Sequence, residues 1–99
     1  MTKSEMATRL NDAQAYLPGK RVKLDFGGDG TIMLDGAASQ VSEDDGDADT
    51  TIKVSWDDWQ AMADGQLDGM TAFMTGKLKV EGDMGNAMQL QGVLAKLRG

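Results

Sequence analysis

Acidic side chains are the first groups to weigh for chemistry, because the chain has neither histidine nor cysteine. That absence removes thiolate nucleophiles, imidazole bases, disulfides and zinc sites of the Cys/His type. The densest acidic run is EDDGDAD, residues 43–49. Counted as a calcium loop from Asp45, it places Asp47 and Asp49 at the next two ligand positions. It then puts Thr50 where the sharp turn needs glycine and Trp56 where a bidentate glutamate belongs, so the spacing fails and a solvated loop is expected. A carboxylate enzyme needs two acids in a cleft with their pKa values pushed apart. The acids here fall in loops, helix caps and outward strand positions. GGDG at 27–30 lacks the glycine spacing of a phosphate-binding fingerprint and reads as a turn. No catalytic residue, metal or cofactor is expected.

The second group is soft rather than reactive. Eight methionines stand in 99 residues of which only 5% are aromatic. A thioether side chain with three rotatable bonds fills irregular gaps and adapts to varied partners. Three of the eight fall in AFMTGKLKVEGDMGNAMQL, residues 72–90. At helical spacing such residues make either core filler or the wall of an adaptable cavity. Trp59 and Met62, three residues apart, carry the same ambiguity.

The bulk numbers narrow the partners. Sixteen acids against ten bases give a net charge of −6. The only basic clusters, GKRVK and GKLK, read as solvent faces of strands, so neither nucleic acid nor an anionic membrane is an expected partner. No run approaches the roughly 18 apolar residues of a membrane span. The opening MTKSEMATRL has no apolar signal segment and the closing KLRG no retention signal, so a cytoplasmic setting is expected. Residues 1–99 read as one domain.

The elements that must position these residues follow from periodicity. Ser4 reads as an N-cap, and Met6, Leu10, Ala13 and Leu17 form one helix face that Pro18 ends. KRVKLDF, TIMLD and AASQVS alternate as three strands, so residues 20–42 form an antiparallel meander, with Asp35-Gly36 as a two-residue hairpin turn. TTIKVS is a fourth strand. Ser55 opens a helix that Gly65 ends, and Asp68 caps a short one closed by Gly76. KLKVEG is a fifth strand, with Leu78 and Val80 inward. Asp83 caps the last helix, 84–97, whose two adjacent apolar stripes are wider than one sheet face requires. Such a helix is wedged between layers or covers a cavity. With Gly82 and Gly85 beside its start, it is expected to flex at that corner as a lid. Clean alternation in the strands leaves one sheet face to water and gathers the helices on the other, an α+β two-layer domain.

Residues 48–94, ADTTIKVSWDDWQAMADGQLDGMTAFMTGKLKVEGDMGNAMQLQGVL, resemble the sterol carrier protein type-2 family. The resemblance rests on the AD before a strand, DGQLDG, AFMTGKLKVEGDMG and AMQL. It implies a five-stranded, mostly antiparallel sheet with helices covering one face and a hydrophobic cavity between the layers. It also implies a lipid or fatty acyl ligand: a fatty acid, fatty acyl-CoA, phospholipid or sterol, with no enzymatic activity in the domain itself. On this reading Met70, Phe73, Met74, Met84 and Met88 line the cavity. Trp59, Met62, Gln91 and Leu94 join them, Gln91 as the polar residue that lies by the ligand in some relatives. The sequence departs from the family at Gly69, Thr75 and Asn86. Asn86, where leucine is frequent, either faces solvent or puts a polar spot in the cavity. The expected state is a monomer or weak homodimer without stable membrane insertion. The alternative is a protein-interaction or dimerisation module using the same fold without a lipid.

Overall fold

Apolar residues at every second position make each strand one-sided, and the pairing brings these sides together. In the computed structural model, which describes residues 2–98 (the side chains of Gln91 and of 93–98 excepted), five strands form one sheet. They are β1 (Arg21–Asp25), β2 (Thr31–Asp35), β3 (Gln40–Ser42), β4 (Thr50–Val54) and β5 (Leu78–Gly82), in the order β3-β2-β1-β4-β5. β1 and β4 are parallel and the other three pairings antiparallel. The register puts Val22 opposite Leu34, Leu24 opposite Ile32 and beside Ile52, Ile52 opposite Val80, and Val54 opposite Leu78. All these residues face the helices α1 (Lys3–Asp12), α2 (Trp56–Ala63), α3 (Gly69–Met74) and α4 (Met84–Arg98). Met6, Leu10, Trp59, Met62, Ala72 and Leu90 join them in one core. The meander, the fifth strand and the gathering of helices on one face match the sequence expectation.

Three local expectations are corrected. The N-cap of α1 is Thr2 rather than Ser4: the Thr2 hydroxyl accepts from the Glu5 N–H at 3.1 Å, and Glu5 Oε1 accepts from the Thr2 N–H at 2.9 Å. Such a reciprocal pair satisfies two otherwise free donors. α1 also stops at Asp12, well short of Leu17. Gln14 takes a left-handed φ of 53°, and the Ala15 N–H returns to the Leu10 carbonyl at 2.9 Å, a Schellman ending. The turn releases Ala15 and Leu17 into the core by another route. The β2–β3 connection is four residues, Gly36 to Ser39, not two. Asp35 Oδ1 accepts the N–H groups of Ala37 and Ala38, and a Cβ on Gly36 would strike the Leu17 carbonyl, so only glycine fits there.

The acidic run is a loop with its carboxylates exposed, as expected, but it is also tied to the sheet. The chain must leave edge strand β3 and pass β2 and β1 to reach β4, and residues 43–49 do so across the outer face of the sheet. Lys23 Nζ reaches Asp45 Oδ1 and the Gly46 carbonyl, each at 3.2 Å. Thr31 Oγ1 donates to the Asp44 carbonyl at 3.2 Å, and the Arg21 guanidinium lies 3.5 Å from Asp44 Oδ2. The Arg21 N–H donates to Asp49 Oδ2 at 2.9 Å. The run is thus a strap, and beneath it Met33, on the supposed solvent face, is fully buried. Basic residues that read as an outward strand face are its anchors.

Candidate functional site

The α2–α4 side of the sheet leaves a groove. Its floor is the inward face of β4 and β5: Ile52, Leu78 and Val80. Trp59 and Met62 enter from α2, and Gly69, Met70 and Phe73 from α3. Met84, Ala87, Met88 and Leu90 enter from α4, the first three at i, i+3 and i+4 on one helix face. The cavity volume is about 250 Å³. No charged side chain lines it among the described residues.

Local sequence explains the placement. Ser55 Oγ accepts the Asp58 N–H at 3.1 Å and starts α2 one residue before Trp56, which turns Trp59 and Met62 inward. Phe26, just after β1, holds the aromatic pair, edge-on to Trp56 at 5.1 Å and tilted to Trp59 at 6.2 Å. The Trp59 indole N–H is buried with no acceptor among the described residues, a cost of about 1–3 kcal/mol. Asp68 Oδ2 accepts the Thr71 N–H at 3.1 Å and starts α3. Gly65 and Gly76, both at positive φ, follow α2 and α3 as the sequence indicated. Asp83 Oδ1 accepts the Gly85 N–H at 2.8 Å at the start of α4.

That last corner is clamped rather than loose. Thr50 Oγ1 donates to the Asp83 carbonyl at 2.8 Å and accepts from Asn86 Nδ2 at 3.1 Å. Gly82 sits at φ 97°, and a Cβ there would strike the Asp49 carbonyl. The glycine is required by close approach of β4, so the expected hinge is a fastened joint. Asn86 accordingly does neither thing the sequence suggested. It is buried and satisfied by Thr50, and it lies outside the groove lining.

Of the residues singled out in the sequence, Trp59, Met62, Met70, Phe73, Met84 and Met88 come together in the groove. Met74 does not: 78% of it is exposed, because the next position on so short a helix turns away from β5. The side chains of Gln91 and Leu94 lie outside the described residues. Sequence reasoning missed Gly69, Ala87 and Leu90, and the floor residues Ile52, Leu78 and Val80. Leu78 and Val80 were legible as inward strand positions, but not as neighbours of Ile52 and Val54 across a β4–β5 pair. Among the described residues no cluster of three or more His, Cys, Asp or Glu could hold a metal ion, and no helix is long and apolar enough to cross a membrane.

Fold and groove together define a class: an α+β layer pair with an apolar, methionine-rimmed groove between sheet and helices. Residues 3–95 match the SCP-2 sterol transfer family, and the chain belongs to it. Sterol carrier protein 2 of Bos taurus is 41% identical over 59 residues, 60% of this chain and 11% of that protein's length. A fatty acid-binding protein of Yarrowia lipolytica is 41% identical over 49 residues, 50% of this chain and 38% of its own length. The chain thus covers well under half of either relative. The solution structure of an Aedes aegypti sterol carrier protein-2 in complex with palmitate superposes with a TM-score of 0.78 over 93% of each chain. At 19% identity that likeness is one of fold.

Proposed function

We propose that residues 1–99 form a single lipid-binding domain whose groove holds the hydrocarbon part of a fatty acyl, sterol or related lipid. It acts in the cytoplasm as a carrier without chemistry of its own. The observation that carries this reading is the groove's lining. A cavity whose walls among the described residues are apolar and uncharged offers transfer free energy to hydrocarbon and little to a polar substrate. Its rim supports the same reading. Met70, Phe73, Met84 and Met88 are all large apolar side chains left substantially exposed, an arrangement that marks binding surfaces. The volume of about 250 Å³ lies just under the usual range for ligand pockets, roughly 300–1,000 Å³. A long chain is then accommodated by rotamer changes of the four flexible methionines around the groove. Membership of the sterol transfer family and the palmitate complex of a relative of the same fold support this choice over a protein-docking module.

The test is native mass spectrometry of the protein purified from cells, followed by identification of extracted lipids. A monomer carrying acyl or sterol mass is expected. A bare dimer that takes up no added lipid would refute the proposal and favour a module that closes the methionine rim against a second copy.

A further inference from the structure

Resting on the reading of the groove as a lipid site, we propose that its rim methionines, Met70, Met84 and Met88, form an oxidative modification site. Peroxide turns them into sulfoxides, and the sulfoxides release the lipid. The chain has no cysteine, so methionine carries all of its sulfur. A thioether needs no prior loss of a proton to react, unlike a thiol, so access decides which methionines are oxidised. Apart from Met1, which lies outside the described residues, they divide cleanly. Met6, Met33 and Met62 are exposed by 1%, 0% and 5%. Met70 and Met84 are 44% and 45% exposed, Met88 62% and Met74 78%. Of these four, all but Met74 line the groove. In the reaction the O–O bond of hydrogen peroxide breaks. One oxygen bonds to the sulfur, which gives up two electrons, and the other leaves as water. The product puts a polar S–O group on a side chain that was apolar. Held against hydrocarbon, that oxygen loses its water. Turned outward to keep it, the side chain leaves the wall. Either way ligand contact is lost on both α3 and α4. The core is untouched, because the three side chains already meet water and the buried methionines are out of reach. Met74, the most exposed of the four and outside the groove, should oxidise without consequence.

The experiment applies hydrogen peroxide to the protein alone and to the protein saturated with laurate. Peptide mass spectrometry locates each added oxygen, a thermal melt checks the fold, and calorimetric titration measures laurate affinity. Met70, Met74, Met84 and Met88 are expected to oxidise before Met6, Met33 and Met62. Laurate should slow the reaction at Met70, Met84 and Met88 but not at Met74. The oxidised protein should keep a cooperative melt and bind laurate at least about tenfold more weakly, about 1.4 kcal/mol. Methionine sulfoxide reductases acting on both epimers should restore the affinity. The triple variant Met70→Leu, Met84→Leu, Met88→Leu keeps apolar side chains of similar volume, and its affinity should be the same before and after treatment. Met74→Leu should lose affinity on treatment as the parent does. Unchanged affinity in a protein oxidised at all three rim positions would overturn the proposal, as would an equal loss in the triple variant. Loss of the melt together with the affinity would mark general damage and refute a defined site. Should the triple variant bind no laurate, shielding and reductase recovery in the parent decide: shielding that is absent at the rim, or that extends to Met74, refutes the assignment. Failure of the untreated, folded protein to bind laurate would instead overturn the lipid reading itself.

Discussion

Exchanging one groove residue and one floor residue for aspartate separates a wall that faces ligand from packed core. Met88 is 62% exposed and Leu78 only 8%, although both line the groove. A fully buried methionine or leucine contributes about 1.5–3 kcal/mol by leaving water. Little more than a third of Met88 is covered, so its share is about 0.5–1 kcal/mol. Met88→Asp should cost no more than this, since the new carboxylate can turn to solvent. Leu78→Asp loses the whole transfer term and leaves a cavity, about 2–5 kcal/mol by analogy with truncation to alanine. It also confines a charge between β4 and the helices, adding several kcal/mol unless the strand edge opens. For a domain of about 100 residues, 1 kcal/mol shifts Tm by roughly 4–8 °C. Met88→Asp should therefore melt within about that interval of the parent, while Leu78→Asp should have no cooperative melt. In a lauryl alcohol titration, Met88→Asp should lose at least about tenfold in affinity, because hydrocarbon would have to lie against a carboxylate. If Met88→Asp unfolds as badly as Leu78→Asp, Met88 is core and the groove is closed. If it folds and binds as before, the ligand does not lie between α4 and the sheet.

Four further outcomes are expected. Met33→Ala should cost about 2–5 kcal/mol in urea unfolding because the strap buries it, and a change under about 0.5 kcal/mol, usual for a surface site, would refute the strap. Gly82→Ala should cost at least about 1–3 kcal/mol from the left-handed backbone alone, with the clash at the Asp49 carbonyl in addition; an unchanged melt would refute the clamped corner. Met74→Ala should leave lipid affinity unchanged, and a marked loss would place Met74 in the site after all. The Thr2 N–H, and then its hydroxyl, favour the charged Glu5 carboxylate and hold it below the ordinary glutamate value. The stabilisation this gives α1 is therefore full above the unfolded pKa and lost as pH falls through the folded one. An NMR titration of Glu5 should show the lowered midpoint, and a midpoint at or above the ordinary value would refute the cap.

Much of this molecule is local, and the local part was legible in the sequence. Val22, Leu24, Ile32 and Leu34 alternate, so each strand's inner face follows from the two-residue period of extended chain. Ser55, Asp68 and Asp83 each precede an apolar helical segment, and their short oxygen-bearing side chains satisfy N–H groups only two or three residues away. Six of the groove residues could be named in advance because the resemblance to the sterol carrier family implied a cavity there; their apolar stripes alone marked a buried face. What a stripe covers is a different kind of fact. The parallel pairing of β1 with β4 follows from no local spacing, and it sends the acidic run over the outer face, where it buries Met33 and binds Lys23 and Arg21. The same pairing order sets Thr50 against Asn86 and Gly82 against Asp49, which fastens a corner whose glycines alone suggested a hinge. It also lays Ile52 beside Val80 as the groove's floor and leaves Met74 out. Periodicity states which side of an element is apolar; which elements share that side depends on contacts between residues far apart in the chain, and those form only when the whole sheet closes.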